Sequence, residues 1–117
     1  LFKMNTHIKG QKGEDIAAQY LKKNGYTILQ RNYRCHYGEI DIVAKHKTFV
    51  VFVEVKSRSS NNFGAPREAV DAFKQKTIVK CATSWLLERK LTGTAVRFDV
   101  VEVTPQSVNL IEDAFRA

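Results

Sequence analysis

The sequence has few residues of the kinds that cross-link a chain or carry it through a membrane. It contains two cysteines, Cys35 and Cys81, in 117 residues. Two are too few for a disulfide framework, so we expect reduced thiols. No apolar stretch reaches membrane-spanning length, and no signal-peptide pattern is present. We therefore expect no membrane partner and a cytoplasmic location.

The sequence also lacks the ligand set of a structural zinc site. Cys35-His36 would supply two ligands, but such a site normally draws four ligands at recognisable spacing. His7 and His46 do not complete that spacing. We therefore do not predict zinc.

No repeat and no linker-like segment divides the chain. A length of 117 residues suits a single domain with a modest core, and we assign residues 1–117 to it. The only methionine is Met4, so we expect residues 1–9 to be a flexible start or one foreign to the natural chain.

The charge balance favours a polyanionic partner. Lysine and arginine outnumber the acidic residues by 19 to 12, which gives a formal charge of +7 and a pI near 9.6. Such a charge attracts nucleic acid, although many basic proteins bind it only nonspecifically.

Two short acidic clusters interrupt otherwise apolar strands. Gly38-Glu39-Ile40-Asp41 begins one strand, and Glu54-Val55-Lys56 follows the apolar run 49–53. Alternate side chains of a strand share a face, so Glu39 lies with Asp41, and Glu54 with Lys56. The short polar segment 45–48 predicts a hairpin, which would bring Asp41 towards Glu54.

Converging carboxylates predict a site for a hard divalent cation, Mg²⁺ or Mn²⁺. They repel one another unless such an ion or protons neutralise them. A lysine beside the ion, Lys56, can position a water or stabilise charge on a phosphate. Glu14, at the border of a helix's buried face, could reach the same site.

The hydrophobic pattern predicts an α/β domain in the order helix, three strands, helix, strand, with a central mixed sheet flanked by helices. The expected elements are a helix over Gly13–Asn24, strands over Tyr26–Arg34, Glu39–Ala44 and Phe49–Lys56, a mostly helical segment over Arg67–Leu91 that Gly93 ends, and a strand over Val96–Val103. The pattern also allows a short edge strand over Val108–Ile111. Trp85 has the spacing of a core residue rather than of a base-stacking residue.

The acidic pattern, an Asp on one strand and Glu-x-Lys ending the next, resembles the PD-(D/E)xK nucleases of restriction-endonuclease-like fold. The chain is more closely similar to the small bacterial YraN family, from about Gly10 to Phe115. The matching motifs include Gly13-Glu14-Asp15, Asn32-Tyr33-Arg34, Gly38-Glu39-Ile40-Asp41, Phe52-Val53-Glu54-Val55-Lys56, Lys74-Gln75, Arg97-Phe98-Asp99 and Ala114-Phe115. The resemblance implies a nuclease fold shared with Holliday-junction resolvases.

These observations lead to the hypothesis of a metal-dependent nuclease. Asp41, Glu54 and Lys56 would be catalytic, and the Val55 carbonyl and Glu14 would help Asp41 and Glu54 to hold the metal. DNA is preferred to RNA as the partner, and resolution of a four-way junction would favour a homodimer. The expected nucleic-acid contacts are Arg58, Lys74, Gln75 and Lys76, in the loop after the Glu-x-Lys strand and at a helix start.

Plainer interpretations remain open for each of these residues. Glu54 and Lys56 could form a cross-face ion pair. Glu39 could cap its strand or pair with Arg34, with a metal-ligand role as its weaker alternative. Lys74 and its neighbours could be a solvated helix face. The whole chain could be a nucleic-acid-binding module without hydrolytic activity, or a protein-interaction domain.

Overall fold

Seven regular elements make up the described part of the chain, residues 6–59 and 70–117, of this computed structural model. Side chains are described from residue 12 onward within the first helix. In chain order the elements are α1 Thr6–Lys23, β1 Thr27–Cys35, β2 Gly38–His46, β3 Phe49–Ser57, α2 Ala72–Glu88, β4 Val96–Val103 and β5 Val108–Phe115.

The five strands form one mixed sheet in the order β1-β2-β3-β4-β5. The β1–β2, β2–β3 and β4–β5 pairs are antiparallel, and the β3–β4 pair is parallel. A parallel pair needs a long crossover connection, which contains α2. The mixed sheet predicted from the sequence is confirmed.

The predicted order of elements was wrong at its end, because β5 is a full strand at the sheet edge. It spans Val108–Phe115, whereas the sequence suggested at most a short strand that stops at Ile111. Asp113 has a positive φ of 53°, and the β4–β5 register shifts between Phe98 and Val100. This irregularity breaks the alternation by which a strand is recognised.

The two helices cover opposite faces of the sheet. On one face α1 packs against strands β2, β3 and β4, in a cluster that includes Ala17, Leu21, Ile42, Val53 and Val101. On the other face α2 builds a second cluster that includes Ile78, Trp85, Val43, Phe52 and Val100. Trp85 is 3% exposed and meets Phe52 edge to face at 5.7 Å between ring centroids, which confirms it as a core residue.

Helix α1 begins earlier than predicted, at Thr6 rather than Gly13. Of the start predicted to be flexible, residues 1–5 lie outside the described residues. The helix ends as predicted, with Gly25 at φ 87° and with the Tyr26 amide donating to the Leu21 carbonyl. This glycine-terminated bond pattern satisfies carbonyls at the end of a helix.

Helix α2 is shorter than the predicted segment 67–91. Asp71 precedes it, and its carboxylate accepts a hydrogen bond from the Lys74 amide at 2.8 Å, which is the arrangement of an N-cap. The helix ends at Glu88 rather than near Gly93, because Lys90 adopts a positive φ of 57° and the Leu91 amide donates to the Leu86 carbonyl. Predicted helix residues 67–69 and the predicted loop 61–66 lie outside the described residues.

The prediction of reduced thiols was wrong, because Cys35 and Cys81 form a disulfide. Cys35 ends β1 and Cys81 lies in α2, and the packing of α2 on the sheet brings their Cα atoms to 5.6 Å. That separation is typical of disulfides. Two cysteines far apart in sequence give no sign of this proximity until the helix is placed on a face of the sheet.

Candidate functional site

The Asp41 carboxylate lies where strands β2 and β3 separate. Their antiparallel pairing runs from His46–Phe49 to Ile42–Val53. Beyond it, the Val55 amide donates to Asp41 Oδ2 at 2.8 Å. The Asp41 carboxylate thus accepts a hydrogen bond from a backbone amide just beyond the last β2–β3 residue pair. This bond holds the carboxylate at the point where the two strands separate.

Asp41 and Glu54 form a hydrogen-bonded carboxyl pair, as the predicted hairpin required. Burial, the negative charge of Asp41 and a hydrogen bond to Asp41 raise the pKa of Glu54 from 4.5 to about 8. Burial also raises the pKa of Asp41, against the opposing effect of the Val55 amide. The pair therefore holds a proton at neutral pH when no cation neutralises it.

Helix α1 adds Glu14 to the same acidic group. Ligand oxygens of Glu14, Glu39 and Asp41 lie within 4.8 Å of one another. Burial and the charges of Asp41 and Glu39 raise the pKa of Glu14 from 4.5 to about 7. Glu39 also accepts a hydrogen bond from Arg34 at 3.1 Å, which confirms the predicted pairing of these two residues. Its role as a metal ligand stays a prediction.

The close approach of α1 depends on Gly13. A Cβ at this position would overlap the Ser57 hydroxyl at the end of β3. A side chain at this position would require the Ser57 hydroxyl to move and would still lie 3.3 Å from the Ser57 Cβ, and Glu14 is the next residue. The sequence pattern gave no signal for this contact, because it joins a helix and a strand more than forty residues apart.

Lys56 lines a polar cavity of about 450 Å³ beside Glu54. The cavity lies between the end of β3 and the start of α2, and its other lining residues are Ser57, Arg58, Val70, Asp71 and Lys74. Lys74 Nζ is 3.6 Å from Glu54 Oε2. The charges of Lys74 and Lys56 both lower the pKa of Glu54, although burial and Asp41 outweigh them.

The structure places the four predicted nucleic-acid contacts in different environments. Arg58 lines the cavity, but its Nε is 3.3 Å from the buried Glu102 Oε2. The Gln75 side chain donates to the Val70 carbonyl at 2.9 Å. Lys74 faces Glu54, whereas Lys76 is exposed on α2. Lys74 and Arg58 thus join the site, and Lys76 lies on the adjoining surface.

The carboxylates fit a hard divalent cation. Glu14 and, from β2, Glu39 and Asp41 present oxygen ligands within 4.8 Å of one another, and Glu54 of β3 is hydrogen-bonded to Asp41. Burial and neighbouring negative charge raise the pKa values of Glu14, Asp41 and Glu54. Oxygen donors of this kind suit magnesium and manganese. The Val55 peptide lies beside the group through its bond to Asp41.

Two residues of this site were not singled out from the sequence. Asp71 caps α2 and lines the cavity, and an aspartate before an apolar helical run is a recognisable N-cap signal. Glu102 is 1% exposed and neighbours Lys56 across the parallel β3–β4 pair. Nothing local in the sequence marks it, since its contact with Arg58 depends on the alignment of the two strands.

A second polar network lies on the sheet face that α1 covers. Asp99 accepts hydrogen bonds from Tyr26 Oη at 2.6 Å and from both Nε and a terminal nitrogen of Arg97. The same arginine contacts His46 Nδ1 at 2.9 Å, and the Tyr26 and His46 rings stack at 4.0 Å. Each of these four side chains has a hydrogen-bonding or stacking partner within the network, so we infer that the network stabilises the fold.

Neither helix of the described chain is long and apolar enough to cross a membrane. Among solved structures, the crystal structure of SSO0001 aligns with 92% of this chain and 52% of its own, with a TM-score of 0.47 and 16% sequence identity. A similarity at this level carries no weight in assigning the fold or the function.

Sequence relatives cover nearly the whole chain. A UPF0102 protein of Caldanaerobacter subterraneus is 48% identical over 120 aligned residues, which cover 97% of this chain and 98% of the relative. One from Persephonella marina is 43% identical over 96% of this chain and 97% of its own. The family model described as "Uncharacterised protein family UPF0102" matches residues 13–103. This chain therefore belongs to the UPF0102 family, the YraN-like proteins that its motifs resemble.

Proposed function

We propose that this protein is a metal-dependent nuclease that hydrolyses phosphodiester bonds in nucleic acid. The observation that carries the proposal is the Asp41–Glu54 carboxyl pair, with Lys56 and Glu54 lining one cavity and the Glu14 carboxylate within 4.8 Å of that of Asp41. Perturbed carboxyl groups in a cleft are typical of catalytic sites.

Each side chain has a defined role in this proposal. Asp41 and Glu54 would hold the cation, with Glu14 and the Val55 carbonyl as further ligands, and Glu39 is a candidate ligand because its oxygens lie within 4.8 Å of those of Glu14 and Asp41. Lys56 orients the attacking water and stabilises negative charge on the phosphate. A bound Mg²⁺ or Mn²⁺ would polarise the scissile phosphate.

The fold supports the same proposal. A mixed sheet with one helix on each face, and carboxylates where β2 and β3 separate, is compatible with the restriction-endonuclease-like architecture of the PD-(D/E)xK nucleases. The excess of basic residues supports nucleic acid as the substrate. We propose DNA rather than RNA, a cytoplasmic location, and a homodimer if the substrate is a four-way junction.

One observation favours the alternative of a nucleic-acid-binding module without hydrolytic activity. Lys74 already lies 3.6 Å from Glu54, so a side-chain cation partly neutralises the site without a metal. A site stabilised in this way could persist for structural reasons alone. The two candidates differ in whether a divalent ion displaces this contact and supports cleavage.

Metal binding is the first test, because it needs no knowledge of the substrate. We expect calorimetric titration with manganese to show a site in the parent protein and none in Asp41→Asn. Below about pH 8 the binding should release protons, since Glu54 is partly protonated there. The same titration in two buffers of different ionisation enthalpy measures that release.

Cleavage is the second test. Manganese or magnesium should support cutting of branched, single-stranded or duplex DNA by the parent protein, and Asp41→Asn and Lys56→Met should remove it. A Lys45→Met variant, changed at an exposed lysine of β2 away from the carboxylates, should cut nearly as well as the parent. Metal binding with DNA binding in EDTA, but no cutting of any of these substrates, would favour the binding module.

A further inference from the structure

Two large aromatic side chains are exposed next to the candidate site. Phe73, in the first turn of α2, is 80% exposed, and Tyr37, in the turn between β1 and β2, is 53% exposed. Most of the apolar ring of Phe73 is in contact with water, so its burial against a partner would be favourable. Phe73 immediately precedes Lys74, the residue that contacts Glu54.

The two rings lie along one side of α2. Phe73, Thr77 and Lys80 follow at helical spacing, and the Thr77 hydroxyl donates to the Phe73 carbonyl. Lys80 Nζ lies 4.9 Å from the centroid of the Tyr37 ring. The helix rises about 10 Å from Phe73 to Lys80, so the rings are separated along a continuous strip.

Two contacts hold the Tyr37 turn against this helix. The Cys35–Cys81 disulfide joins the end of β1 to α2. Gly38 lies so close to Thr77 that an added Cβ would be 2.8 Å from its methyl group. Tyr37, between these anchors, is therefore positioned relative to Phe73 by the fold itself.

The charge of α2 suits a polyanion. Its 17 residues include three lysines, Lys74, Lys76 and Lys80, and one acidic residue, Glu88, in the last turn. Alternating basic and aromatic side chains are the features that bind single strands, through phosphate contacts and base stacking. We name the surface formed by Tyr37, Phe73, Lys76, Thr77 and Lys80 the α2 strip.

We propose that the α2 strip binds single-stranded DNA, stacks its bases on Phe73 and Tyr37, and leads it to the carboxylates at Glu54. This inference rests on the proposed function, because it names the substrate class of that site. Bases in a duplex already stack on one another, so only an unpaired strand or branch presents free base faces to these rings. Lys76 and Lys80 contact its phosphates.

The test is fluorescence anisotropy with a labelled oligothymidylate, in EDTA and with Asp41→Asn as the parent so that no cleavage occurs. Phe73→Ala and Tyr37→Ala should each weaken binding at least about 5-fold, the lower end of a lost base stack. Phe73→Trp should retain binding, and Phe73→Leu should lose it, because a leucine keeps apolar bulk but offers no ring. Leu29→Ala, another exposed apolar residue, should have no effect.

A blunt duplex of equal charge distinguishes base stacking from electrostatic attraction to phosphates. We expect Phe73→Ala to bind this duplex as well as the parent does. Unchanged oligothymidylate binding by Phe73→Ala and Tyr37→Ala, with their thermal unfolding also unchanged, would overturn the α2 strip. Tight binding of the oligothymidylate by Phe73→Leu would overturn base stacking on Phe73, because an aliphatic side chain would then suffice. If the protein does not cleave DNA but Phe73→Ala and Tyr37→Ala weaken binding, the α2 strip is supported and the nuclease proposal fails. If the protein cleaves DNA but these variants bind as well as the parent, only the α2 strip is overturned.

Discussion

Gly13 of α1 lies so close to Ser57 of β3 that a Cβ on the glycine would overlap the serine hydroxyl. The next residue, Glu14, belongs to the acidic group at the sheet edge. The packing of one helix backbone on one strand therefore sets the spacing of the candidate metal ligands.

Replacing this glycine should disturb stability and metal binding together. We expect Gly13→Ala to lower the free energy of unfolding by about 1–3 kcal/mol, the usual cost of overpacking, and to weaken manganese binding as Glu14 moves. Chemical denaturation and calorimetry measure the two effects. Adding Ser57→Gly to Gly13→Ala should restore both; failure of this rescue would show that the contact is not the cause.

The raised carboxyl pKa values predict how stability depends on pH in the metal-free protein. The pKa of Glu14 is about 7 and that of Glu54 about 8, against 4.5 for an ordinary glutamate. Between pH 4.5 and 8 the folded state therefore holds protons that the unfolded chain has released. Stability must fall as pH rises through this range, by at most about 1.4 kcal/mol per pH unit for each retained proton.

Urea denaturation at several pH values checks this dependence. Glu54→Gln should flatten the pH dependence, because the amide does not ionise, and should be more stable than the parent near pH 8. Glu112→Gln, changed at a half-exposed residue outside the site, should keep the parental slope. Stability that rises from pH 5 to 8 in the parent would contradict the electrostatic description of the site.

The Cys35–Cys81 disulfide should contribute measurable stability. It closes a loop with a sequence separation of 46 residues, for which the chain-entropy estimate is roughly 4 kcal/mol, with 2–4 kcal/mol typical of measured cases. We expect reduction, or the Cys35→Ser/Cys81→Ser variant, to lower the free energy of unfolding by that amount. Equal stability of the oxidised and reduced proteins would show that the packing of α2 alone holds the turn.

The buried pair of Arg97 and Asp99 should be among the most sensitive positions in the fold. Asp99 is fully buried and Arg97 is 9% exposed, so Asp99→Asn leaves the guanidinium without its main counter-charge. We expect a loss of about 3–5 kcal/mol, as for other broken buried ion pairs. Thermal unfolding measures it, and manganese affinity at a temperature where the variant is folded should not change.

The parts of the fold that follow from local pattern were predictable. The continuous apolar run before Glu54 predicted a strand, and β3 is central in the sheet, with Val50 to Val53 at most 4% exposed. Strand β4 has the predicted bounds. The hairpin geometry predicted that Asp41 would approach Glu54, because both residues lie a few positions from one turn.

The remaining features depend on how distant elements pack. The Lys74–Glu54 contact and the disulfide require α2 to be placed on one particular face of the sheet. The exposure of Phe73 could not be read from the sequence, since a phenylalanine near the start of an amphipathic helix is expected to face the core. The full length of strand β5 was not predicted, because its irregularity at Asp113 hides the alternation beyond the suggested short strand.

The order of the strands has a consequence for folding kinetics. Asp41 and Glu54 lie on a sequence-local hairpin, so they meet early, whereas contacts such as Tyr26–Asp99 join residues 73 positions apart and form late. The desolvation that sets the two carboxyls against each other arises only when both helices have packed. A divalent ion should therefore act after the folding transition state, slowing unfolding while leaving the folding rate nearly unchanged, and stopped-flow measurements with and without manganese would record that difference.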